Sequence, residues 1–337
     1  MSDTVATLKT PAEIIRLGNA FCDAQALLTS VELGLFTALA DGPATEEDVR
    51  ARLGLHGRGL WDLLNLLVAL GLLERDGDRY RNAEGAQHYL VQGRPSYIGG
   101  FLERANRNLY PAYARLPEAL RTGKPQTDTN FDEVRKNPRV LRQFAQMMDA
   151  LIYTLGPQLI EAFDWTKHSS VLDVGGCRGS LTAQIVTAAT HLHGHVFDLP
   201  EMEPLFDELV AQAGLTDRVI FHGGSFFEVD ALPRADVVML GHVLHDWDPR
   251  QRKELVAKAY AAVNPGGALL VYDRMLEDQP VHVENLVVSL DMLLVTEGGS
   301  EYTVTELRKH AAAAGCADVT AEPLGHDDTL VILRKRP

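Results

Sequence analysis

The sequence predicts an α/β protein in which a mostly parallel sheet, with helices on both faces, follows a mostly helical N-terminal part. Residues 1–160 carry apolar side chains at three- and four-residue spacing, as in "AFCDAQALLTSVELGLFTALA", which is typical of amphipathic helices. From Ser169 onward, short β-rich runs such as "SVLDVGG", "GHVFDLP" and "ADVVMLG" alternate with helix-like segments. This alternation predicts a parallel sheet covered by helices. The last two runs, "CADVTAEPL" and "DTLVILRKR", predict a hairpin at the sheet edge.

The N-terminal part has the pattern of a winged helix. In "ATEEDVRARLGL", Thr45 precedes three acidic residues, which predicts a capped helix start, and "LWDLLNLLVALGLLER" predicts a further helix. "DGDRYRN" then predicts a tight turn between two short strands. Residues 1–95 contain 9 Lys/Arg and 13 Asp/Glu. Because phosphate contacts need clustered positive charge, packing or dimerisation is favoured over DNA binding.

The bulk composition excludes several classes of function. A formal net charge of −14 over 337 residues disfavours nucleic acid and anionic membranes as main partners. The three cysteines are odd in number and widely separated, which is typical of reduced thiols. The polar start "MSDTVATLKT" has no apolar signal segment, and the longest apolar stretch, residues 63–73, is too short to span a bilayer. We therefore expect a soluble, cytoplasmic protein.

Two features at the start of the predicted sheet indicate a nucleoside-containing cofactor. "VLDVGGCRGS" reads as a strand, a glycine turn and a helix start, and ligands of such sheets bind at the carboxyl ends of the strands. Asp198 ends the next predicted strand, where a carboxylate can accept hydrogen bonds from ribose hydroxyls. Cys177 replaces a glycine of the dinucleotide pattern, which disfavours a dehydrogenase. The alternative is a helix-capping turn beside a surface aspartate.

Six short motifs follow one another along the chain: "VLDVGG", "FDLP", "GGSFFE", "HVLHDWD", "NPGGALLVYD" and "GGSEYT". In order and spacing they resemble the motifs of S-adenosylmethionine-dependent O-methyltransferases. The resemblance is to the plant caffeate-like and bacterial natural-product group, and it covers nearly the whole chain. It implies a Rossmann-like methyltransferase sheet, S-adenosylmethionine as cofactor, and a homodimer. The implied domains are a helical winged-helix-like dimerisation domain (1–100), a helical linker and substrate-lid region (101–165) and a catalytic domain (166–337).

The resemblance also assigns the cofactor site. The residues implied to hold S-adenosylmethionine are Asp173, Gly175, Gly176, Asp198, Leu199, Ser225, Phe226, Gly241 and Trp247. Three positions depart from the family pattern: Cys177 replaces a glycine, Ser225 stands where an aspartate is common, and Gly241 where plant members often have lysine. We interpret Cys177 as a small loop residue, because methyl transfer needs no nucleophilic cysteine.

The stretch "VMLGHVLHDWD" contains the predicted catalytic base. Methyl transfer is helped by positioning and by removal of the acceptor's proton, for which a histidine is suited. The resemblance places that base at His245, with Asp273 and Glu301 orienting it. For Asp246 and Asp248 the sequence favours helix capping. A metal site using His242, His245 and Asp246 is the alternative, but the set lacks an identified further ligand, so no catalytic metal is predicted.

Two helical stripes are candidates for the wall of an aromatic acceptor pocket. Phe144, Met148 and Ile152 follow a four-residue spacing, and Met292 and Thr296 do so on a second segment. Plain core packing is the alternative for both. The sequence thus predicts methylation of a hydroxyl on a small aromatic, natural-product-like substrate. C-methylation of an activated aromatic ring, such as that of an aromatic amino acid, and a ligand-sensing winged-helix regulator remain the alternatives.

Overall fold

The computed structural model describes residues 7–94, 96–127 and 131–337, and the chain divides into two units between Pro111 and Ala112. The finer boundaries predicted at residues 100 and 165 stay predictions. Within the described residues, none of the helices combines the length and the apolar character needed to cross a bilayer.

The first unit has the predicted order of helices followed by a small hairpin. Its strands β1 (Ala44–Thr45), β2 (Leu73–Asp76) and β3 (Arg79–Asn82) form an antiparallel sheet in the order β1-β3-β2. Its helices are α1 (Pro11–Gly18), α2 (Ala20–Glu32), α3 (Leu35–Ala38), α4 (Glu46–Leu53), α5 (Leu60–Ala69), α6 (Glu84–Tyr89) and α7 (Gly99–Arg104), followed by a π-helical turn at Ala105–Leu109.

Local chemistry explains where these elements begin. The Thr45 side chain accepts the amide of Asp48, and the Asp48 carboxylate accepts the amide of Thr45, so a reciprocal capping box starts α4 as predicted. Gly77, with φ +61°, provides the left-handed turn between β2 and β3. The apolar faces of these elements meet in one core around Phe36, Leu64 and Tyr80.

The second unit contains a seven-stranded sheet. Its strands are β4 (Ser170–Val174), β5 (His193–Asp198), β6 (Val219–Gly223), β7 (Ala235–Gly241), β8 (Val263–Asp273), β9 (Asp318–Leu324) and β10 (Asp328–Arg334). The order is β6-β5-β4-β7-β8-β10-β9. The first five strands are parallel, whereas β10 pairs antiparallel with β8 and β9, which confirms the hairpin predicted at the edge.

Two apolar cores lie on the two faces of this sheet, and the helices of the unit surround them. The helices are α8 (Tyr110–Tyr113), which crosses the boundary between the units, α9 (Leu116–Thr122), α10 (Phe131–Lys136), α11 (Pro138–Ala162), α12 (Ser180–Ala188), α13 (Glu203–Ala213), α14 (Pro249–Ala262), α15 (Val283–Val295) and α16 (Val304–Ala313). One core contains Leu172, Leu240 and Val271, and the other contains Val171, Met239 and Leu270. Alternate residues of the same strands therefore enter opposite cores, as strands buried on both faces require.

The topology determines where a ligand can bind. β4 and β7 are neighbours in space, and the chain runs outward from them in opposite directions through the sheet. In open parallel sheets, ligands bind at such a switch point, beyond the carboxyl ends of the strands. Asp173, Asp198, Gly241 and Asp273 all lie at those ends, on β4, β5, β7 and β8 respectively.

Candidate active site

The turn after β4 is joined to the end of β5 by the carboxylate of Asp198. The backbone N–H of Cys177 donates to Asp198 Oδ2 at 2.7 Å, and the N–H of Leu199 donates to Oδ1 at 2.7 Å. Cys177 has φ +52°, a left-handed conformation that directs its amide into the turn. Burial raises the pKa of Asp198 to about 6. Each carboxylate oxygen retains a lone pair that can accept a hydroxyl group.

Gly175 and Gly176 allow the backbone to turn sharply beside Asp173. Gly175 has φ +76°, and a Cβ atom there would lie 2.7 Å from a methyl group of Val243. A Cβ atom at Gly176 would lie 2.7 Å from the carboxyl carbon of Asp173. Burial raises the pKa of Asp173 to about 7, and its carboxylate accepts a hydrogen bond from Thr182. Both glycines are therefore needed for steric reasons.

Gly241 makes room for an aromatic ring. A Cβ atom at this position would lie only 1.8 Å from Cζ of Tyr272, which β8 places beside the end of β7. The tyrosine ring occupies the space in which a side chain at residue 241 would begin. This contact gives a structural reason for a glycine at this position.

Aromatic side chains form a wall after β6. The rings of Phe226 and Phe227 both meet Trp247 edge to face, with centroids 5.6 Å and 4.7 Å away. The indole Nε1 of Trp247 is buried and donates to no acceptor among the described residues. Ser225 begins the turn, since its carbonyl accepts the amides of Glu228 and Val229. A planar, nitrogen-rich ring fits a wall of this kind, because aromatic faces stack and the indole offers a donor.

His245 is held between two acidic side chains. It lies in the 3₁₀ turn Leu244–Asp246 and is 8% exposed. Its Nδ1 lies 2.7 Å from Glu301 Oε1 and 3.6 Å from Asp273 Oδ1. A hydrogen bond from Nδ1 to a carboxylate fixes the ring proton on that nitrogen, which leaves the lone pair on Nε2. The structure thus brings together all three residues that the resemblance assigned to catalysis.

The negative charges of the two neighbouring carboxylates make the His245 imidazole more basic. Burial alone would lower the pKa of His245, but the carboxylates of Asp273 and Glu301 outweigh it and raise the pKa to about 10. Burial raises the pKa of Asp273 to about 7. Tyr302 donates its hydroxyl hydrogen to Asp273 Oδ2 at 2.5 Å, and burial raises the pKa of this phenol well above its usual value. Tyr302 therefore stays a hydrogen-bond donor.

A buried arginine fixes the loop that carries Glu301. Arg252, on α14, is 2% exposed and donates to the carbonyl of Ser300 at 2.8 Å. Its guanidinium also pairs with Glu306 at 3.1 Å and lies 5.0 Å from the centre of the Tyr302 ring. The Ser300 amide in turn donates to the His245 carbonyl at 2.9 Å. The loop is thereby bound to the turn that carries the imidazole.

The flanking aspartates have different roles. Asp248 is the N-cap of α14, in a capping box with Gln251, as predicted. The capping prediction for Asp246 is wrong, because this residue lies in the preceding 3₁₀ turn, with Oδ1 3.8 Å from His245 Nε2.

The residues predicted to line an acceptor pocket are distributed over several places. Met148 and Ile152, on α11, border a cavity that Asp173, Gly175, Gly176 and Gly241 also line. Phe144, on the same helix, packs instead against the cluster that contains Met202 and Leu205. Met292 is buried on α15, and its carbonyl accepts the hydroxyl of Thr296, which also caps the Gly299 amide. These five assignments stay predictions.

Several neighbours of the site have no signal in the sequence. Asp149, on α11, accepts hydrogen bonds from the side chains of both Arg178 and Ser180 in the glycine turn. Phe227, Arg252 and Tyr302 belong to the contacts described above. Of these, only Phe227 has a possible sequence signal, because two adjacent phenylalanines could have indicated the aromatic wall. The contacts of Arg252 with Ser300 and Glu306 join residues about fifty positions apart, so local patterns do not reveal them.

Comparison with known proteins agrees with this arrangement. The protein-family model of the O-methyltransferase domain matches residues 113–317 of this chain. The family model of the O-methyltransferase dimerisation domain matches residues 15–92. The tetracenomycin polyketide synthesis 8-O-methyl transferase TcmO of Streptomyces glaucescens is 45% identical, covering 96% of this chain and 97% of that protein. The N,N-dimethyltransferase OxyT of Streptomyces rimosus is 40% identical, covering 90% and 89%. The crystal structure of human N-acetylserotonin methyltransferase with SAM has a TM-score of 0.86 at 28% identity, covering 98% and 100%.

Proposed function

Because the chain belongs to the O-methyltransferase family and depends on S-adenosylmethionine, we propose that it methylates a hydroxyl group of a small aromatic natural product, with His245 as general base. The observation that supports this proposal best is the hydrogen bond between His245 Nδ1 and Glu301. It fixes the proton of the neutral imidazole on Nδ1, so that Nε2 is the nitrogen that accepts a proton.

The reaction divides between positioning and proton transfer. S-adenosylmethionine, when bound, supplies a methyl group whose bond to sulfur breaks as the bond to the acceptor oxygen forms. Nε2 of His245 takes the hydroxyl proton, and Glu301 and Asp273 stabilise the resulting imidazolium. Tyr302 holds the Asp273 carboxylate by a hydrogen bond, and Arg252 holds the backbone carbonyl of Ser300, the residue before Glu301.

The basicity of His245 fits an acceptor of the phenol class. Its pKa is raised to about 10, and an unperturbed tyrosine phenol has a pKa of about 10. Transfer of a phenol proton to the neutral imidazole is then close to thermoneutral, and because the imidazole is mostly protonated at neutral pH, the rate should increase with pH up to about 10. An ordinary aliphatic alcohol is far less acidic than a phenol and gives up its proton less readily.

The cofactor residues have the chemistry that an adenosine group requires. We propose that Asp198 accepts the ribose hydroxyls and that Phe226 and Trp247 cover the adenine, whose acceptors the free Trp247 Nε1 can meet. Gly175 and Gly176 would let the backbone approach the remainder of the molecule. Asp173, Leu199, Ser225 and Gly241 complete the proposed set.

A homodimer is part of the proposal. The dimerisation-domain match covers residues 15–92. Helices α1 and α2 carry four large apolar side chains that are each more than half exposed within one chain: Ile14, Ile15, Leu17 and Phe21. Such a row of large apolar side chains is typical of a surface that a second copy covers.

N-methylation is the second candidate, because one similar protein is named as an N,N-dimethyltransferase. Ring C-methylation is compatible with the same base, since loss of the phenol proton also activates the ortho carbon. The assay is a panel of aromatic phenols, each paired with its methyl ether and its amine analogue, incubated with methyl-labelled S-adenosylmethionine. The proposal expects labelled methyl ethers from the phenols. If only the amines are labelled, N-methylation replaces the proposal. If the label is found on ring carbon, C-methylation replaces it.

A further inference from the structure

The side chains around His245 have the composition of a transition-metal site. One ligand atom from each of His242, His245 and Asp273 lies within 4.8 Å of the others. Asp273 Oδ1 is 3.6 Å from His245 Nδ1 and 4.0 Å from His242 Nδ1. Ligands at the usual zinc–nitrogen and zinc–oxygen distances lie roughly 3.3 Å apart in a tetrahedral site. Small side-chain rotations would therefore bring these atoms to bonding distance. We call these three residues the His242 cluster.

Buried oxygen atoms around the cluster have no hydrogen-bond donor. Three carboxylate oxygens here are buried and accept no hydrogen bond from the described residues: Asp273 Oδ1, Glu301 Oε2 and Asp328 Oδ1. Asp273 is fully buried, so water cannot easily supply the missing donor. Unpaired buried carboxylate oxygens are costly, and a cation is the ligand that would satisfy them.

The backbone of His242 is held in an uncommon conformation. Its φ is +51°, in the left-handed region that few non-glycine residues adopt, although histidine, asparagine and aspartate do so more often than the others. This conformation places Nε2 3.5 Å from Asp328 Oδ1, while Nδ1 stays 4.0 Å from Asp273. The proposed proton transfer gives this second imidazole no role. Strained residues of this kind cluster at ligand sites.

We propose that the His242 cluster binds one divalent transition-metal ion of the zinc class and that this ion inhibits methyl transfer. The proposal rests on the proposed role of His245 as base. An imidazole that binds a metal through one nitrogen carries its proton on the other, so it has no lone pair left to accept the acceptor's proton. Binding to a protonated His245 releases that proton to solvent. Imidazole and carboxylate ligands favour zinc over magnesium or calcium.

The binding test uses the full-length enzyme, freed of metal by a chelator and dialysed into a non-coordinating buffer. Calorimetric titration with zinc chloride should show one site per chain. The informative variant is His242→Asn, because asparagine tolerates the left-handed backbone but cannot replace the imidazole. It should weaken zinc binding by at least about tenfold. Magnesium chloride should give no binding.

The control is His195→Gln. His195 and His222 form the other close imidazole pair described in this unit, with Nδ1 and Nε2 3.0 Å apart. This variant should bind zinc as the wild type does. Wild-type affinity in His242→Asn, or loss of binding in His195→Gln alone, would overturn the proposal. Thermal unfolding and S-adenosylhomocysteine binding check that each variant is folded.

The activity test separates this inference from the proposed function. Zinc should lower kcat, EDTA should restore the rate, and His242→Asn should need at least about tenfold more zinc for half inhibition relative to its own metal-free rate. Zinc that binds through His242 but leaves turnover unchanged would contradict the role of His245 as base. An absence of zinc binding beside an inactive His245→Ala variant would overturn only the metal site.

Discussion

Glu301 accepts a hydrogen bond from Nδ1 of His245 across 2.7 Å, although the two residues are 56 positions apart in the chain. Three contacts maintain this pairing: the Ser300 amide bonds to the His245 carbonyl, the Glu301 amide bonds to Ser289, and Arg252 holds the Ser300 carbonyl. These contacts hold the backbone on both sides of the pair and so help to place the acid beside the imidazole. Such prearrangement is what a base needs to work without reorganisation.

The charge of Glu301 is expected to set the pH range of the reaction. Glu301→Gln keeps an acceptor for Nδ1 but removes a negative charge, so the raised pKa of His245 should fall. The alkaline inflection of kcat/KM should move to lower pH, and its plateau should drop by roughly 3–10-fold because a weaker base transfers the proton less well. Glu297→Gln, an exposed neighbour in the same region, is the control. An unchanged inflection in Glu301→Gln would contradict the assignment.

Cofactor affinity is expected to depend on the protonation of Asp198. Its pKa is raised to about 6, and the charged carboxylate is the form that accepts two hydroxyl groups. The affinity for S-adenosylhomocysteine should therefore be greatest well above pH 6 and decline as the pH falls through about 6. Asp198→Asn should weaken binding by about 1–3 kcal/mol at neutral pH and remove this inflection. Calorimetry at several pH values tests both, and an inflection that persists in the variant would assign it to another group, such as Asp173.

The space beside Gly241 is expected to tolerate no side chain. Gly241→Ala places Cβ against the Tyr272 ring, which is fully enclosed in the sheet core. The free energy of unfolding should decrease by about 1–3 kcal/mol, the usual cost of overpacking. Gly85→Ala is the control, because a Cβ atom there has no neighbour within 4 Å. Denaturant titrations that give equal stabilities for the two variants would show that the ring moves freely.

The apolar residues of α1 and α2 are expected to hold the dimer together. Ile15→Asp and Phe21→Asp should shift the enzyme to monomers at micromolar concentration, because each introduces charge into the proposed contact surface. Leu120→Asp changes an apolar residue of similar exposure in the second unit and should leave the mass unchanged. Light scattering decides between these outcomes, and an intact dimer in both α1 and α2 variants would place the contact elsewhere.

Sequence patterns predicted the fold well where short-range chemistry determines it. The capping box at Thr45, the turn at Gly77 and the alternation of strands and helices are each encoded within a few residues. The proposed cofactor residues at the strand ends follow from topology, since the ends of parallel strands converge on one edge. Their identification as a methyltransferase site came from the resemblance, because a glycine turn and one aspartate are common to many nucleotide-binding sheets.

The remaining features of the site depend on contacts between distant segments. Nothing near Arg252 in the sequence indicates that it is buried and supports a loop almost fifty residues away. The sequence gives no reason why residue 241 should be glycine, because the ring that fills the space belongs to Tyr272, on the next strand. The left-handed backbone of His242 likewise has no sequence signal, because most histidines have negative φ and the sequence around this one does not set it apart.

The most direct test of His245 as base compares acceptors of graded acidity in wild type and His245→Ala. With a phenol of ordinary pKa, the variant should lose about 10²–10⁴ in kcat/KM while S-adenosylhomocysteine binds as before. With an acceptor that is already ionised at the assay pH, the loss should be much smaller, since no proton has to be removed. His326→Ala, a largely exposed histidine, should behave as wild type with every acceptor. A loss that is the same for all acceptors, or no loss for any, would contradict the account.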